Sequence, residues 1–288
     1  MNTQMSRKFV RSITAAALST VVLFTGWSAP PEAHAAANAV PSYEVKFLLD
    51  SNDVLNADGT LKGAVNSAFS VASSPERQLV EYFDTDSLDL NGEGWNARFR
   101  KKESKSNYEL TYKKRFAVEN GKLDDALTAA NAAGFDASDD NYEAEVDWGY
   151  GKQTLSFSNT KKVDASKGLV LPSESEALKL LVSSIPGKLD KAVSKGWGTK
   201  MLKASYAHGP VQVSKYAGTF DGQEVDIEVW PIRSASGTGT EPLVEISFKT
   251  DDYAVASAER AKLMDKLDGE GWLIHADSLK TNLILERY

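Results

Sequence analysis

The chain has 288 residues, with 33 basic and 40 acidic side chains, a net charge of −7 and no cysteine. Disulfides, thiolate catalysis and cysteine zinc sites are therefore excluded. The acidic balance argues against a general nucleic-acid binder, although a local basic funnel is still allowed because fields follow charge distribution rather than the sum.

The chain begins with Arg7, Lys8 and Arg11, an apolar run from Ile13 to Trp27, and Ala33-His34-Ala35. This pattern predicts a signal peptide over residues 1–35, cleaved after Ala35, and so a secreted, extracytoplasmic protein. Its removal takes away three basic and one acidic residue and leaves a net charge of −9. No later stretch is long and apolar enough to span a bilayer.

From Tyr43 to Leu49 the residues alternate as a strand, and a helix is predicted around Leu61–Phe69. Gln78–Phe83 reads as a strand. Trp95–Arg100 and Tyr108–Lys114 read as a hairpin, Lys122–Ala133 as a helix stopped by Gly134, and Tyr142–Trp148 with Gln153–Phe157 as a second hairpin. Thr160–Ser173 looks like loop. Ser173-x-x-Glu176 opens a helix as a capping box. Lys200–Lys215 reads as a poorly periodic strand, and Thr219–Trp230 as a hairpin about Asp221-Gly222. Leu243–Lys249 reads as a strand, a helix capped by Asp251 runs to Leu267, and a last strand covers Ser278–Glu286. About ten strands with three or four helices predict an α+β fold with a mostly antiparallel sheet, able to close into a barrel. The string L-x-G-E-G-W occurs twice, at Leu90–Trp95 and Leu267–Trp272. Turn chemistry and internal duplication both account for it.

The strands share a chemical pattern. Arg98 and Arg100 fall on one face, as do Glu44 and Lys46, Glu109 and Lys113, Glu143 and Glu145, Asp226 and Glu228, and Glu245 and Lys249. The opposite faces are apolar. A solvated sheet face also alternates in this way, but Thr and Ser are common there and full charges dominate here. Converging faces of both signs suit a highly charged anion with a metal ion: Arg and Lys for phosphate, paired carboxylates for a hard divalent cation. His208 and His275 read as structural or exposed, and no G-x-S-x-G, H-E-x-x-H or P-loop motif is present.

The order YEVKF, QLVEYFDTDSLDL, WNARFRKK, YELTYKK, YEAEV, DGQEVDIEVWPI, LVEISFK and SLKTNLILERY resembles the CYTH superfamily, the triphosphate tunnel metalloenzymes, over most of residues 42–288. The resemblance implies an eight-stranded antiparallel barrel formed by a single domain, elaborated by helices around residues 160–209. It implies a tunnel that binds a triphosphate or polyphosphate-type anion, with Mg²⁺ or Mn²⁺ and phosphohydrolase activity. On that template Lys46, Arg98, Arg100, Lys113, Lys215 and Lys280 would bind phosphate. Glu44, Glu143, Glu145, Asp226, Glu228 and Glu245 would supply metal ligands. Two positions depart from the pattern: Ser42 stands where the opening E-x-E-x-K has its first Glu, and Ser247 where a later E-x-E has its second. A hydroxyl is a poor replacement for a carboxylate on a hard cation. The alternatives are a non-catalytic polyanion binder and a cell-envelope interaction domain.

Overall fold

The computed structural model describes residues 36–72, 74–277 and 280–288. The predicted signal segment lies outside the described residues. In chain order the elements are β1 (Ser42–Leu49), α1 (Ser51–Val54), α2 (Gly63–Ala68), β2 (Glu76–Asp84), α3 (Asp89–Gly92), β3 (Trp95–Lys102) and β4 (Asn107–Val118). Then come α4 (Leu123–Ala132), β5 (Glu143–Trp148), β6 (Gln153–Asp164), α5 (Glu174–Ser183), α6 (Gly187–Asp190), α7 (Trp197–Ala204), β7 (Tyr206–Phe220) and β8 (Gln223–Arg233). The last are β9 (Thr240–Thr250), α8 (Tyr253–Gly269), β10 (Leu273–Ile274) and α9 (Lys280–Arg287).

The strands run in the order β1-β5-β6-β4-β3-β2-β7-β8-β9, and β9 pairs back onto β1. The result is a closed nine-stranded barrel, not the eight-stranded one expected, with β10 extending the edge of β1. Nor is it wholly antiparallel, because β1 and β5 pair in parallel, with Ser42 opposite Glu145 and Glu44 opposite Asp147. The reason is topological. Strand directions cannot alternate all the way round a ring with an odd number of members, so at least one neighbouring pair must run the same way. Here the N-terminal strand takes that place, inserted between β5 and β9.

Strand alternation sets which side of the wall each residue faces. Along β1, Tyr43, Val45, Phe47 and Leu49 are buried, with Ser42, Glu44 and Lys46 between them. On β8, Val225, Ile227 and Val229 are buried in the apolar core while Asp226 and Glu228 line the barrel interior. The apolar core therefore lies outside the barrel wall, beneath the helices, and the lumen is polar.

The α5–α7 segment covers one flank. The Ser173/Glu176 capping box forms as expected, and the Tyr112 hydroxyl donates to the Leu181 carbonyl at 2.6 Å. Gly198 allows α7 to approach α6, since a Cβ there would lie 2.5 Å from the Leu189 carbonyl oxygen. Both L-x-G-E-G-W copies end a helix: Gly94 and Gly271 take φ of 68° and 73°, and each is followed by a buried Trp that leads into a strand. Left-handed glycine is a common helix stop, so turn chemistry accounts for the repeat.

Four expected boundaries change. Residues 280–287 are helix, not strand, because Thr281, Ile284 and Leu285 bury with helical spacing. The predicted strand from Lys200 begins with α7 and becomes β7 only at Tyr206. β6 continues to Asp164 through the expected loop. Asp252, rather than Asp251, caps α8, accepting from the Ala254 and Val255 amides.

Candidate functional site: a charged tunnel

The polar faces converge on one interior cavity of about 720 Å³. All six expected cations and all six expected carboxylates line it. Five further charged residues line it: Lys102, Arg115, Asp147, Lys249 and Asp251. Four of them continue a two-residue period already visible in the chain. Lys102 follows Arg98 and Arg100, Arg115 follows Glu109 and Lys113, Asp147 follows Glu143 and Glu145, and Lys249 follows Glu245. Extending the alternation by one step finds Lys102, Arg115 and Asp147, and Lys249 already shares a face with Glu245.

The β1/β5/β9 wall carries a carboxylate cluster. Oxygens of Glu44, Glu145 and Asp147 all lie within 4.8 Å of one another. The parallel β1–β5 register places Glu44 directly opposite Asp147. Lys46 sits 2.5 Å from Asp147 and 3.6 Å from Glu44. Lys113 lies 3.4 Å from Glu145 and 3.8 Å from Asp147. Lys249 contacts Glu145 and lies 3.4 Å from Glu44. Burial pushes the Asp147 carboxyl upward, but Lys113 and Lys46 outweigh it and hold Asp147 well below the usual range. Glu145 is likewise lowered, with Lys113 and Lys249 overcoming burial. For Glu44 burial prevails and its pKa rises. Lys46 is raised because Asp147, Glu44 and Glu245 overcome its burial.

A second acidic pair lies on β8 and β9. Lys280, carried into the lumen by α9, bridges Glu228 at 2.8 Å and Glu245 at 2.7 Å and stands 4.6 Å from the centre of the Trp230 ring. Trp230 also donates its indole N–H to Glu228 at 2.9 Å. Burial opposes ionisation of Glu228, yet Lys280 and Trp230 bring its pKa down to about 2. Asp226 pairs with Lys215 at 2.7 Å. Glu143 lies exposed at the rim. None of Glu143, Asp226, Glu228 and Glu245 belongs to the Glu44/Glu145/Asp147 cluster.

The β3/β4 wall is different. Arg100 is already committed to Glu109 through two N–H groups, one at 2.7 Å, and Lys102 lies 3.3 Å from the same carboxylate. Arg98 and Arg115 have no carboxylate within 4.0 Å among the described residues. Arg98 donates to Thr111 and Arg115 to Thr281, both at 3.3 Å, and each retains a buried Nε–H without a partner. The neighbouring Tyr82 registers their field. Burial should raise its phenol pKa, but Arg98, a hydrogen bond from Thr281, Arg115 and Lys280 bring it below the ordinary value.

Ser42 and Ser247 both line the cavity. The Ser42 hydroxyl donates to the Ala144 carbonyl at 3.3 Å, and Ser247 lies opposite Lys46 on one side and Asp226 on the other. On the adjacent strand β5, Glu145 and Asp147 complete a set of three carboxylates with Glu44. Three carboxylates are a hard oxygen donor set of the kind Mg²⁺ and Mn²⁺ prefer, so the residues fit such an ion. Lys249, with a side chain 58% exposed, has room to swing away from Glu145.

No family model and no curated protein matches the chain. Among solved structures it is similar to the candidate adenylyl cyclase HpAC1 from Hippeastrum, for which a dominant triphosphatase activity is described. That likeness has a TM-score of 0.51 and 14% identity, and covers 85% of this chain and 99% of that one. A candidate adenylate cyclase from Bacillus halodurans aligns with a TM-score of 0.48 and 12% identity, over 86% and 98% of the two chains. At this level of identity the likeness to HpAC1 shows a shared fold. Among the described residues no helix is long and apolar enough to cross a membrane.

Proposed function

We propose that the tunnel binds linear triphosphate or inorganic polyphosphate and hydrolyses it with a divalent metal, in a protein exported from the cytoplasm. One observation carries this reading: two guanidinium groups with no carboxylate partner among the described residues and a cluster of three carboxylates line the same cavity. Arg98 and Arg115 offer free N–H groups to phosphoryl oxygens, the geometry in which arginine binds phosphate most strongly. Lys113 stands between the two sides, within reach of Glu145 and Asp147, and can follow charge that moves along the substrate. Glu44, Glu145 and Asp147 would hold Mg²⁺ or Mn²⁺. When bound, the ion supplies charge neutralisation and Lewis acidity toward phosphoryl oxygens. Partial burial in the lumen strengthens the fields of these groups. The triphosphatase activity described for HpAC1, which shares the fold, supports the same reaction class. Export rests on the N-terminal basic–apolar–A-x-A pattern.

A second reading is a polyanion binder without turnover. It is favoured by the lysines already seated against the three carboxylates, which a metal must displace. Phosphate release from tripolyphosphate, measured with Mg²⁺, with Mn²⁺ and with EDTA, separates the two. Metal-dependent release is the expected result. Saturable binding with no release under any condition establishes the second reading, and absence of both defeats the tunnel assignment.

A further inference from the structure

A second cavity, of about 620 Å³, lies on the outer side of the barrel wall between β4, β6 and the segment around α6. It is separate from the tunnel except at Tyr142, which lines both. Asn159, on the outward face of β6, is 1% exposed. Its Nδ2 donates to the Asn141 carbonyl at 2.8 Å, while its Oδ1 is buried, has no partner and belongs to a residue lining this cavity. The Tyr142 hydroxyl is also buried and unpartnered, on a residue only 8% exposed. Buried polar atoms are nearly always satisfied, so two orphans in one cavity wall point to a ligand that brings its own hydrogen-bonding groups.

The charges around the cavity narrow the ligand class. Four lysines line it, Lys114, Lys161, Lys188 and Lys191, against the two carboxylates of Glu93 and Asp139. Lys188 is held by Asp139 at 3.0 Å and stands 5.1 Å from the centre of the Phe135 ring. Lys161 and Lys191 are exposed and have no ion pair among the described residues. This excess of cations in an acidic chain favours an anion. The Asn159 oxygen can only accept, so fully ionised phosphate does not satisfy it, whereas a hydroxyl does.

We infer that this outer cavity binds a phosphorylated polyol or sugar, with the phosphate toward Lys161 and Lys191 and hydroxyl groups reaching Asn159 and Tyr142. The source is either a free phosphorylated metabolite or one unit of a polyol-phosphate polymer. The inference does not depend on the tunnel reading.

The test is calorimetric titration of the full chain carrying Arg98→Ala and Arg115→Ala, which silence the tunnel arginines. The probes are glycerol 3-phosphate and inorganic phosphate. Glycerol 3-phosphate is expected to bind about tenfold more tightly, the scale of one well-made hydrogen bond set. Adding Lys161→Glu and Lys191→Glu should abolish that binding. Tyr142→Phe should weaken it severalfold with no fall in Tm, because the lost hydroxyl has no protein partner. In the otherwise unaltered chain, the Asn159 side-chain amide resonances should shift during the titration, so the site can be read even if the tunnel variants fold poorly. Poly(glycerol phosphate) binding more tightly per unit than the monomer assigns the polymer as the source, and equal affinity assigns the free metabolite. Equal affinity for inorganic phosphate and glycerol 3-phosphate, indifference to the lysine reversals, or no binding at millimolar probe each overturns the inference.

Discussion

The two walls of the tunnel hold similar numbers of charges but differ in how these are satisfied. On the β1/β5/β9 side every member of the Glu44/Glu145/Asp147 cluster touches lysine, and each of Lys46, Lys113 and Lys249 touches a member of it. On the β3/β4 side Arg98 and Arg115 have only hydroxyl partners. The carboxylate cluster is neutralised by Lys46 and Lys249 of its own wall and by Lys113 reaching across from β4, whereas on the β3/β4 wall Glu109 neutralises Arg100 and Lys102 but not Arg98 or Arg115. An arriving anion therefore gains most from the arginines, while a cation must compete with lysines already in place. Charge count alone conceals this, because the worth of a buried ion depends on whether its partner is already present.

Breaking the neutralised wall should have the largest effect. Asp147→Asn leaves buried Lys46 without its nearest carboxylate, and should cost about 3–5 kcal/mol of stability, read as a lower midpoint in urea unfolding. A loss below about 1 kcal/mol, the worth of an exposed pair, would show that Glu44 alone satisfies Lys46.

Acids in opposite environments should give opposite pH dependence. The folded pKa of Glu228, about 2, lies below its ordinary 4.5, so its stabilisation is complete above pH 4.5 and is lost as the pH falls toward 2. The full contribution is about 3 kcal/mol. Glu81, outside the tunnel, has no ion pair among the described residues; burial and Glu174 push it up to about 7. Its ionisation penalises the folded state as pH rises from 4.5 to 7. Tm profiles should show Glu81→Gln stabilising above pH 7 and neutral below pH 4. Glu228→Gln should destabilise at neutral pH, with a difference that vanishes in acid. Parallel profiles would remove the contrast.

The unsatisfied wall is sharpened by three arginine variants. Arg98→Ala and Arg115→Ala should each weaken tripolyphosphate binding by about 1.5–3 kcal/mol, the range for hydrogen bonds to charged groups. Arg100→Ala should cost less, because its guanidinium already serves Glu109. Equal losses for all three in direct titration would mean that prior pairing does not decide affinity. The smallest expected effect is that of Lys249→Ala. This exposed ammonium should contribute less than about 1 kcal/mol to stability, yet its removal leaves Glu145 with Lys113 alone and should tighten Mn²⁺ binding. Unchanged Mn²⁺ affinity would place the ion away from Glu145.

Much of this site was legible in the sequence because strand alternation is a strict geometric rule. Arg98 with Arg100, Glu44 with Lys46, and Asp226 with Glu228 needed only a period of two. Asp147 continues the Glu143, Glu145 period for one more residue and shares their face. Which acids would gather could not be read from alternation at all. It depends on β1 lying parallel to β5, a pairing between distant strands that no local pattern encodes. The end of the chain is ambiguous for a different reason. A short apolar run such as Leu283–Leu285 fits strand and helix equally well, and it is packing against Val80, Val211 and Ile232 that settles it as α9.

The insertion of β1 between β5 and β9 also has a consequence for how the protein is made. This first strand bonds to partners roughly 100 and 200 residues further along, and such distant pairings are slow to form. Until Thr250 has emerged, the ring cannot close, and the strands destined to flank β1 retain bare hydrogen-bonding edges. A ribosome-bound chain would thus stay open through most of its synthesis. That makes a chaperone that shields strand edges more valuable to this protein than one that hastens helix docking.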